Sequence, residues 1–196
     1  MVTNRLNELM PDIIHEDQVG FIPNRIIFDN VLVAHEILRK DEKYAISVDF
    51  AKAFDSVSHD AIYKILKHLN FPTIFINLVK GMISGSKARI RNGNDHSELF
   101  DVLCGVKQGC PLSPLLFALS IEPLANKIRK ETIGASLGNL ITTIILYADD
   151  IFLFADNPAE QLKQIKILDN FRLATGLSMN KEKSLHLSSH QNDIGI

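Results

Sequence analysis

The sequence predicts an α+β fold, and three observations predict it. Segments rich in β-formers, such as YAISVDF (44–50) and IILYADDIFLF (144–154), are interleaved with segments whose apolar residues recur at helical spacing. The alternation is irregular, not a repeated strand–helix unit. Turn-like pairs, Asn92-Gly93 and Asp149-Asp150, lie inside β-rich stretches, which implies hairpins and antiparallel pairing.

The elements follow in chain order. Asp29 is placed to cap a helix carrying Val31, Ala34, His35 and Leu38 on one face. YAISVDF reads as a buried strand that ends in an acid. Ser58 caps the next helix, whose Ile62, Ile65, Leu66 and Leu69 form an apolar stripe. Pro72 suits the first turn of a helix reaching about Gly85. KARIRNGNDHSELFDVL reads as a hairpin around Asn92-Gly93, with a loop of two residues or more. Ser113-Pro114 opens a helix carrying Phe117, Ile121, Leu124 and Ile128, with a kink expected at Pro123. Asn157 to Glu160 resembles a capping box that opens the last helix, and Gly176 closes it.

Composition excludes several classes. The 196 residues are 46% hydrophobic, enough for one domain with a sizeable core. The apolar runs are too short and interrupted to span a bilayer, and the N-terminus lacks the pattern of a secretory signal. Cys104 and Cys110 are the only cysteines and lack a second pair for a zinc site, so a reducing compartment is expected. The net charge of −2 argues against a strongly basic nucleic-acid binder, though not against basic residues gathered on one face. The seven histidines show no ligand spacing.

The informative feature is LYADDIFLF (146–154), two adjacent carboxylates inside the most apolar stretch of the chain. Neighbours on a strand face opposite ways, so Asp149 and Asp150 serve one site only from a hairpin tip. There they repel and raise each other's pKa unless a cation neutralises them. A cluster of hard oxygens suits magnesium and phosphate-bearing substrates. Asp49, at the end of its own strand, is the candidate third acid. Three acids can hold two metal ions ~4 Å apart for in-line phosphoryl transfer. A solvated acidic turn remains the competing reading of the doublet alone.

Five stretches resemble motifs of reverse transcriptases, in the family's order. They are DQVGFIPNR (17–25), SVDFAKAFDSVSHD (47–60), GVKQGCPLSPLLFALSIEPLA (105–125), YADD (147–150) and GLSMNKEKS (176–184). DQVGFIPNR and IEPLA are similar to those of the LINE-type, non-LTR retrotransposon branch. The resemblance implies a right-hand polymerase palm, an antiparallel sheet packed on helices. It implies partial fingers over residues 1–43 and mainly palm over 44–190, one domain in all. Upstream finger motifs and a thumb are expected to be absent from this chain.

The resemblance also implies roles. Asp49, Asp149 and Asp150 would hold two Mg²⁺ ions, with the backbone carbonyl of Phe50 in the same shell. Phe54, five positions after Asp49, corresponds to a steric gate favouring deoxynucleotides; alone it would read as core. Gln108 and Gly109 would lie under the incoming nucleotide, and an ordinary turn before a helix fits them too. Arg25 would clamp the triphosphate, an exposed loop arginine being the alternative. Lys183 would face the pyrophosphate, with Lys181 as competitor. Lys87, Arg89 and Arg91 make one basic strand face, either a backbone track for nucleic acid or the wet side of a sheet. Asp60 is a helix-start acid, and Asp55 has no assigned role.

The expected activity is RNA-directed DNA synthesis with an RNA template, a DNA primer and deoxynucleoside triphosphates, inside the cell in nucleus or cytoplasm. The alternative is a truncated retroelement remnant that folds and binds nucleic acid or a partner without catalysis.

Overall fold

The structure, a computed structural model, describes residues 2–40 and 43–188. Residues 1, 41–42 and 189–190 of the expected finger and palm segments lie outside the described residues. The chain opens with helix α1 (Val2–Ile13) and helix α2 (Ile27–Leu38), and then enters strand β1 (Tyr44–Val48). Three helices follow: the short α3 (Ala53–Ser56), α4 (His59–His68) and α5 (Thr73–Ile83). An exposed arm carries β2 (Lys87–Ala88), β3 (Arg91–Asn92), β4 (Asp95–His96) and β5 (Phe100–Asp101). The long helix α6 (Ser113–Glu131) leads to β6 (Ala135–Leu137), β7 (Leu140–Thr142), β8 (Ile144–Tyr147) and β9 (Asp150–Ala155). Helix α7 (Pro158–Thr175) and β10 (Leu185–Ser188) complete the described fold.

Four strands form one antiparallel sheet in the order β10-β1-β9-β8. Its two faces are both covered, which explains the near-continuous apolar runs of β8 and β9. Ile46, Val48, Ile144, Leu146, Ile151 and Leu153 face the main core, made with α6, α7 and α4. Ala45, Ile145 and Phe154 point the other way, against Ile37 of α2 and Ala135 of β6. Helix α6 is buried on most of its circumference, from Leu115 to Ile128, so it works as the central post of the core. Among the described residues no helix is long and apolar enough to cross a membrane.

Local chemistry explains most element ends. Ser58 accepts a hydrogen bond from the Ala61 amide and caps α4. Asn157 accepts from the Glu160 amide at 3.0 Å, and Gly176, at φ +82°, closes α7. The expected capping box is only half made, because the Glu160 carboxylate reaches the Ile133 amide and Lys163 instead. Helix α2 differs from expectation. It starts at Ile27, before Asp29, behind an extended Ile26 with no side-chain cap, and it buries Ile37 while Val31 is 52% exposed. Asp29 therefore lies in the first turn, where its charge meets the helix dipole, and caps nothing. Helix α6 begins after Leu112; the Ser113 hydroxyl donates back to the Lys107 carbonyl and does not cap. Pro123 lies within α6 without ending it. In the arm, the pairs Arg91↔His96 and Asn92↔Asp95 put the turn at Gly93-Asn94, one residue later than expected.

Candidate active site

Strands β8 and β9 form a tight hairpin. Tyr147 pairs with Asp150, so the loop is Ala148-Asp149 alone. Ala148 takes φ +55° and is buried, an unusual combination for a residue with a side chain. Asp149 thus stands at the tip, and Asp150 is the first residue of β9. Strand β1 pairs with β9 in a register that ends at Val48↔Ile151. Beyond that pair the next residues of the two chains are Asp49 and Asp150, and continuing the same register would oppose them on one face. The three acids named from the sequence thus lie at the ends of two neighbouring strands.

The electrostatics agree. The Asp150 carboxyl is raised above its ordinary 3.8, first by loss of hydration against the protein, then by the negative charges of Asp149 and Asp49. Asp150 is an exposed residue, so water still reaches one side of it. Among the described residues no ion pair compensates any of these three acids. Nor are any three His, Cys, Asp or Glu groups of the described residues converged closely enough to form a ready-made metal cage. Mutually repelling carboxylates without a basic partner fit hard divalent cations in their chemistry.

Asp49 is held from its other side. Its carbonyl accepts from the Asn180 amide at 2.7 Å, its amide donates to the Ser184 hydroxyl at 3.2 Å, and the Ala51 amide donates to the Ser178 carbonyl at 2.8 Å. Phe50 faces Met179 across this short antiparallel bridge. Its neighbours Asp49 and Ala51 supply the bonds of this bridge, so the Phe50 carbonyl takes no part in it. That is compatible with a place beside the acids. Asn180 and Ser184 lie in one of the five motifs, yet their anchoring role carries no local sequence signal.

Beside the hairpin lies a cavity of about 420 Å³ lined by Phe21, Phe54, Gln108, Gly109, Cys110, Pro111, Ser113 and Pro114. It gathers Phe54, Gln108 and Gly109, three of the five residues expected to contact the nucleotide; Arg25 and Lys183 do not line it. The Phe54 ring stacks on Phe117 of α6, centroids 4.6 Å apart, so one face is core and the rest borders the cavity. Gln108 donates to the Asp55 carboxylate at 3.3 Å, a contact that gives Asp55 an orienting task. Gly109 has φ +80° with open space where a Cβ would lie, so backbone conformation, not crowding, requires glycine there. Phe21 links cavity to hairpin through its tilted ring contact with Tyr147, centroids 6.4 Å apart.

Arg25 is engaged within the chain. Its guanidinium donates to four backbone carbonyls: Pro11 at 3.0 Å, Ile14 at 2.7 Å, His15 at 2.6 Å and Gln18 at 2.7 Å. All lie at or beyond the last turn of α1, where carbonyls lack intrahelical partners, although the His15 carbonyl also accepts from the Gln18 amide at 3.1 Å. Engaged this way, Arg25 staples the end of α1 to the chain that follows it, and the triphosphate clamp expected of it would require these bonds to open.

Lys181 and Lys183 are both exposed on the turn that follows Asn180. Lys87, Arg89 and Arg91 are all exposed, but Arg89 and Ile90 interrupt the strand between β2 and β3, so there is no continuous basic strand face. Lys87 pairs loosely with Asp101 at 3.8 Å, and the Arg91 side chain donates to the Gly93 carbonyl.

Comparison with known proteins fits this geometry. A family model described as reverse transcriptase (RNA-dependent DNA polymerase) matches residues 1–194. The Pol polyprotein of the type-2 retrotransposable element R2DM of Drosophila melanogaster is 37% identical over 172 residues, which cover 85% of this chain and 16% of that protein. A Pol polyprotein from the type-1 retrotransposable element R2 of Popillia japonica is 31% identical over 171 residues, covering 86% of this chain and 24% of the relative. The chain thus spans a minor part of the curated relatives it matches. In structure it is similar to telomerase from Candida albicans, solved in complex with a fragment of telomeric RNA. The TM-score is 0.69 at 12% identity, over 98% of this chain and 34% of that one. Apo telomerase from Candida tropicalis gives a TM-score of 0.68 at 13% identity, covering 95% and 36%. The shared architecture is that of the polymerase right hand. A hairpin-borne acid pair with a third acid at the end of the neighbouring strand, on this fold and under a family match of almost full length, leaves one conclusion: the chain belongs to the reverse transcriptase (RNA-dependent DNA polymerase) family.

Proposed function

We propose that this chain is the nucleotidyl-transfer part of a LINE-type retroelement polymerase, extending a DNA primer on an RNA template with deoxynucleoside triphosphates. The observation that supports the reading is the β1–β9 register, which ends at Val48↔Ile151 and leaves Asp49 and Asp150 as the next residues of two neighbouring strands, with Asp149 at the adjoining tip. Residues 1–43 would serve as partial fingers and residues 44–190 mainly as palm. The work would be done inside the cell, in nucleus or cytoplasm, where template RNA is found.

Asp49, Asp149, Asp150 and the Phe50 carbonyl are the groups that would hold two magnesium ions. When bound, these supply Lewis-acid activation of the primer 3′-hydroxyl and neutralise charge on the triphosphate. The chain's own residues orient the reactants. The Phe54 ring, fixed by Phe117, borders the cavity where a sugar would rest and would exclude a 2′-hydroxyl by clash. Gly109 lets the backbone approach the nucleotide, and Gln108, turned by Asp55, presents an amide to it. Lys183, or its neighbour Lys181, would offer a proton to the departing pyrophosphate. Lys87, Arg89 and Arg91 supply exposed positive charge for phosphates of template or primer.

A primer-extension assay on an RNA template with magnesium and deoxynucleotides tests the reading. Template-directed products are expected, and their absence at every salt and metal concentration overturns it. Phe54→Val sharpens it: ribonucleotide incorporation should rise by roughly 10-fold or more while deoxynucleotide use is largely kept. Equal loss of both substrates would make Phe54 a packing residue only.

A further inference from the structure

Residues 17–20 run alongside the outer edge of β8. The Val19 amide donates to the Leu146 carbonyl at 3.0 Å and the Leu146 amide to the Asp17 carbonyl at 2.9 Å, which sets Gln18 beside Leu146 in a parallel bridge. Gln18 is buried, at 1% exposure. Its side-chain oxygen accepts from the Ala148 amide at 3.1 Å and from the Gly20 amide at 2.9 Å. Its side-chain nitrogen is directed at the Ala148 carbonyl at 3.5 Å, a long contact. One primary amide thus meets both polar backbone atoms of the residue that makes the hairpin turn. We propose that Gln18 is a positioning residue for the acid-bearing tip, holding Ala148 in its left-handed conformation and so fixing where Asp149 and Asp150 stand.

The surroundings fit a fixed support. The Gln18 carbonyl accepts from Arg25. Next to it, both oxygens of Asp17 accept from Arg129 of α6 at 2.7 and 2.9 Å, and Arg129 also reaches buried Glu122. A Cβ on Gly20 would fall 2.3 Å from the Ala148 nitrogen, so the backbones abut without a side chain between them. The residue type also matters. An amide offers an acceptor and a donor without charge, matching one N–H and one C=O. A carboxylate there would offer acceptors only, leaving the Ala148 carbonyl without a donor, and would add negative charge beside the acid-bearing tip.

The proposal rests on reading the tip as a metal-holding site of phosphoryl transfer, so its test includes a readout that needs no catalysis. Gln18→Met keeps the length and removes both polar atoms, and Gln18→Asn keeps the amide but shortens its reach. Hydrogen exchange of the Ala148 amide, without metal, should quicken about tenfold in either folded variant while amides of the β1–β9 ladder keep their protection. The magnesium concentration giving half the thermal stabilisation should rise, and kcat for primer extension should fall roughly 10- to 100-fold, with KM for the deoxynucleotide changed by less than about threefold. If Gln18→Met does not fold, Gln18→Asn carries the test. Wild-type exchange at Ala148 together with a wild-type magnesium midpoint overturns the proposal. So does loss of protection spread evenly through the sheet, which would make Gln18 an ordinary core residue. If the unaltered chain makes no product at all, the polymerase reading fails, and the Ala148 exchange rate still decides the role of Gln18.

Discussion

Among the described residues the β3–β4, β6–β7 and β8–β9 hairpins all close with two-residue loops, and the first and last of them solve the same problem in opposite ways. In the arm, the β3–β4 turn puts Gly93 at φ +61°, with nothing within 4 Å of where a Cβ would lie and solvent around it. At the palm tip, the β8–β9 turn puts Ala148 at φ +55°, buried and gripped on several sides. The first turn is cheap and loosely placed. The second carries a conformation that costs a non-glycine residue of order 1 kcal/mol or more, and neighbours over-determine it. Strain tolerated at one turn and avoided at the other marks where position matters.

The largest expected effect separates the hairpins by chemistry. Asp149→Asn should lower primer extension by at least about 100-fold with the fold intact. Asp95→Asn in the arm hairpin should change extension by less than about twofold. Initial extension rates and thermal melts of both variants check this, and equal effects would erase the distinction.

Next in size is Gly20→Ala. Its new methyl would meet the Ala148 nitrogen at 2.3 Å and the Tyr147 carbonyl carbon at 2.9 Å, backbone that cannot step aside cheaply. A loss of about 3 kcal/mol is expected, read as a fall in denaturant midpoint at constant slope.

A reciprocal exchange tests the strain itself. Gly93→Ala should destabilise by about 1 kcal/mol, because an alanine must then adopt φ +61°. Ala148→Gly relieves the same strain at the tip but frees the unfolded chain, so the net change should lie within about 1 kcal/mol of zero. Chemical denaturation measures both.

The smallest effect is electrostatic. Asp150 titrates above its ordinary 3.8 in the folded state, so the folded chain binds that proton more tightly than the unfolded chain does. Stability is therefore lost as pH rises from about 3.8 through the raised value, and it stays lost above it. Asp150→Asn should melt higher than the parent at neutral pH without magnesium, with a gap that closes in acid. Saturating magnesium should narrow the gap from the other direction, since it stabilises only the parent's full set of acids.

How much of the molecule is legible in its sequence follows the range of the interactions. Ser58, Gly176 and the Asp149 tip are set by residues within a few positions, and each is where local pattern places it. The beginning of α2 escapes that pattern because an acid in the first turn looks like a cap from sequence alone, while the extended Ile26 carries no such mark. The partners of Arg25 escape it too, for a different reason. A guanidinium suits phosphate and carbonyl oxygens alike, and only the chain's path shows that four carbonyls reach it. The hairpin of β6 and β7 leaves no periodic signal, because Leu140 and Ile141 are both exposed and show no alternation. Nothing in spacing points to Gln18, since its partner Ala148 is far along the chain.

The strand order has a consequence for how the molecule is made. Strand β1 is interior to its sheet, yet Tyr44 finds its two neighbours only at Ala155 and Ser188. On a ribosome delivering the chain from its N-terminus, the apolar YAISV segment emerges long before either partner exists. Helices α1, α4 and α5 can form meanwhile from nearby residues, but both edges of β1 stay open until the β8–β9 hairpin and then β10 are released. Closing contacts of such long sequence separation is slow, and an unpaired apolar strand invites pairing with other chains. Synthesis of this domain is therefore a race between its own late strands and its neighbours. The four-stranded sheet is complete only when the segment that anchors Asp49 has also arrived.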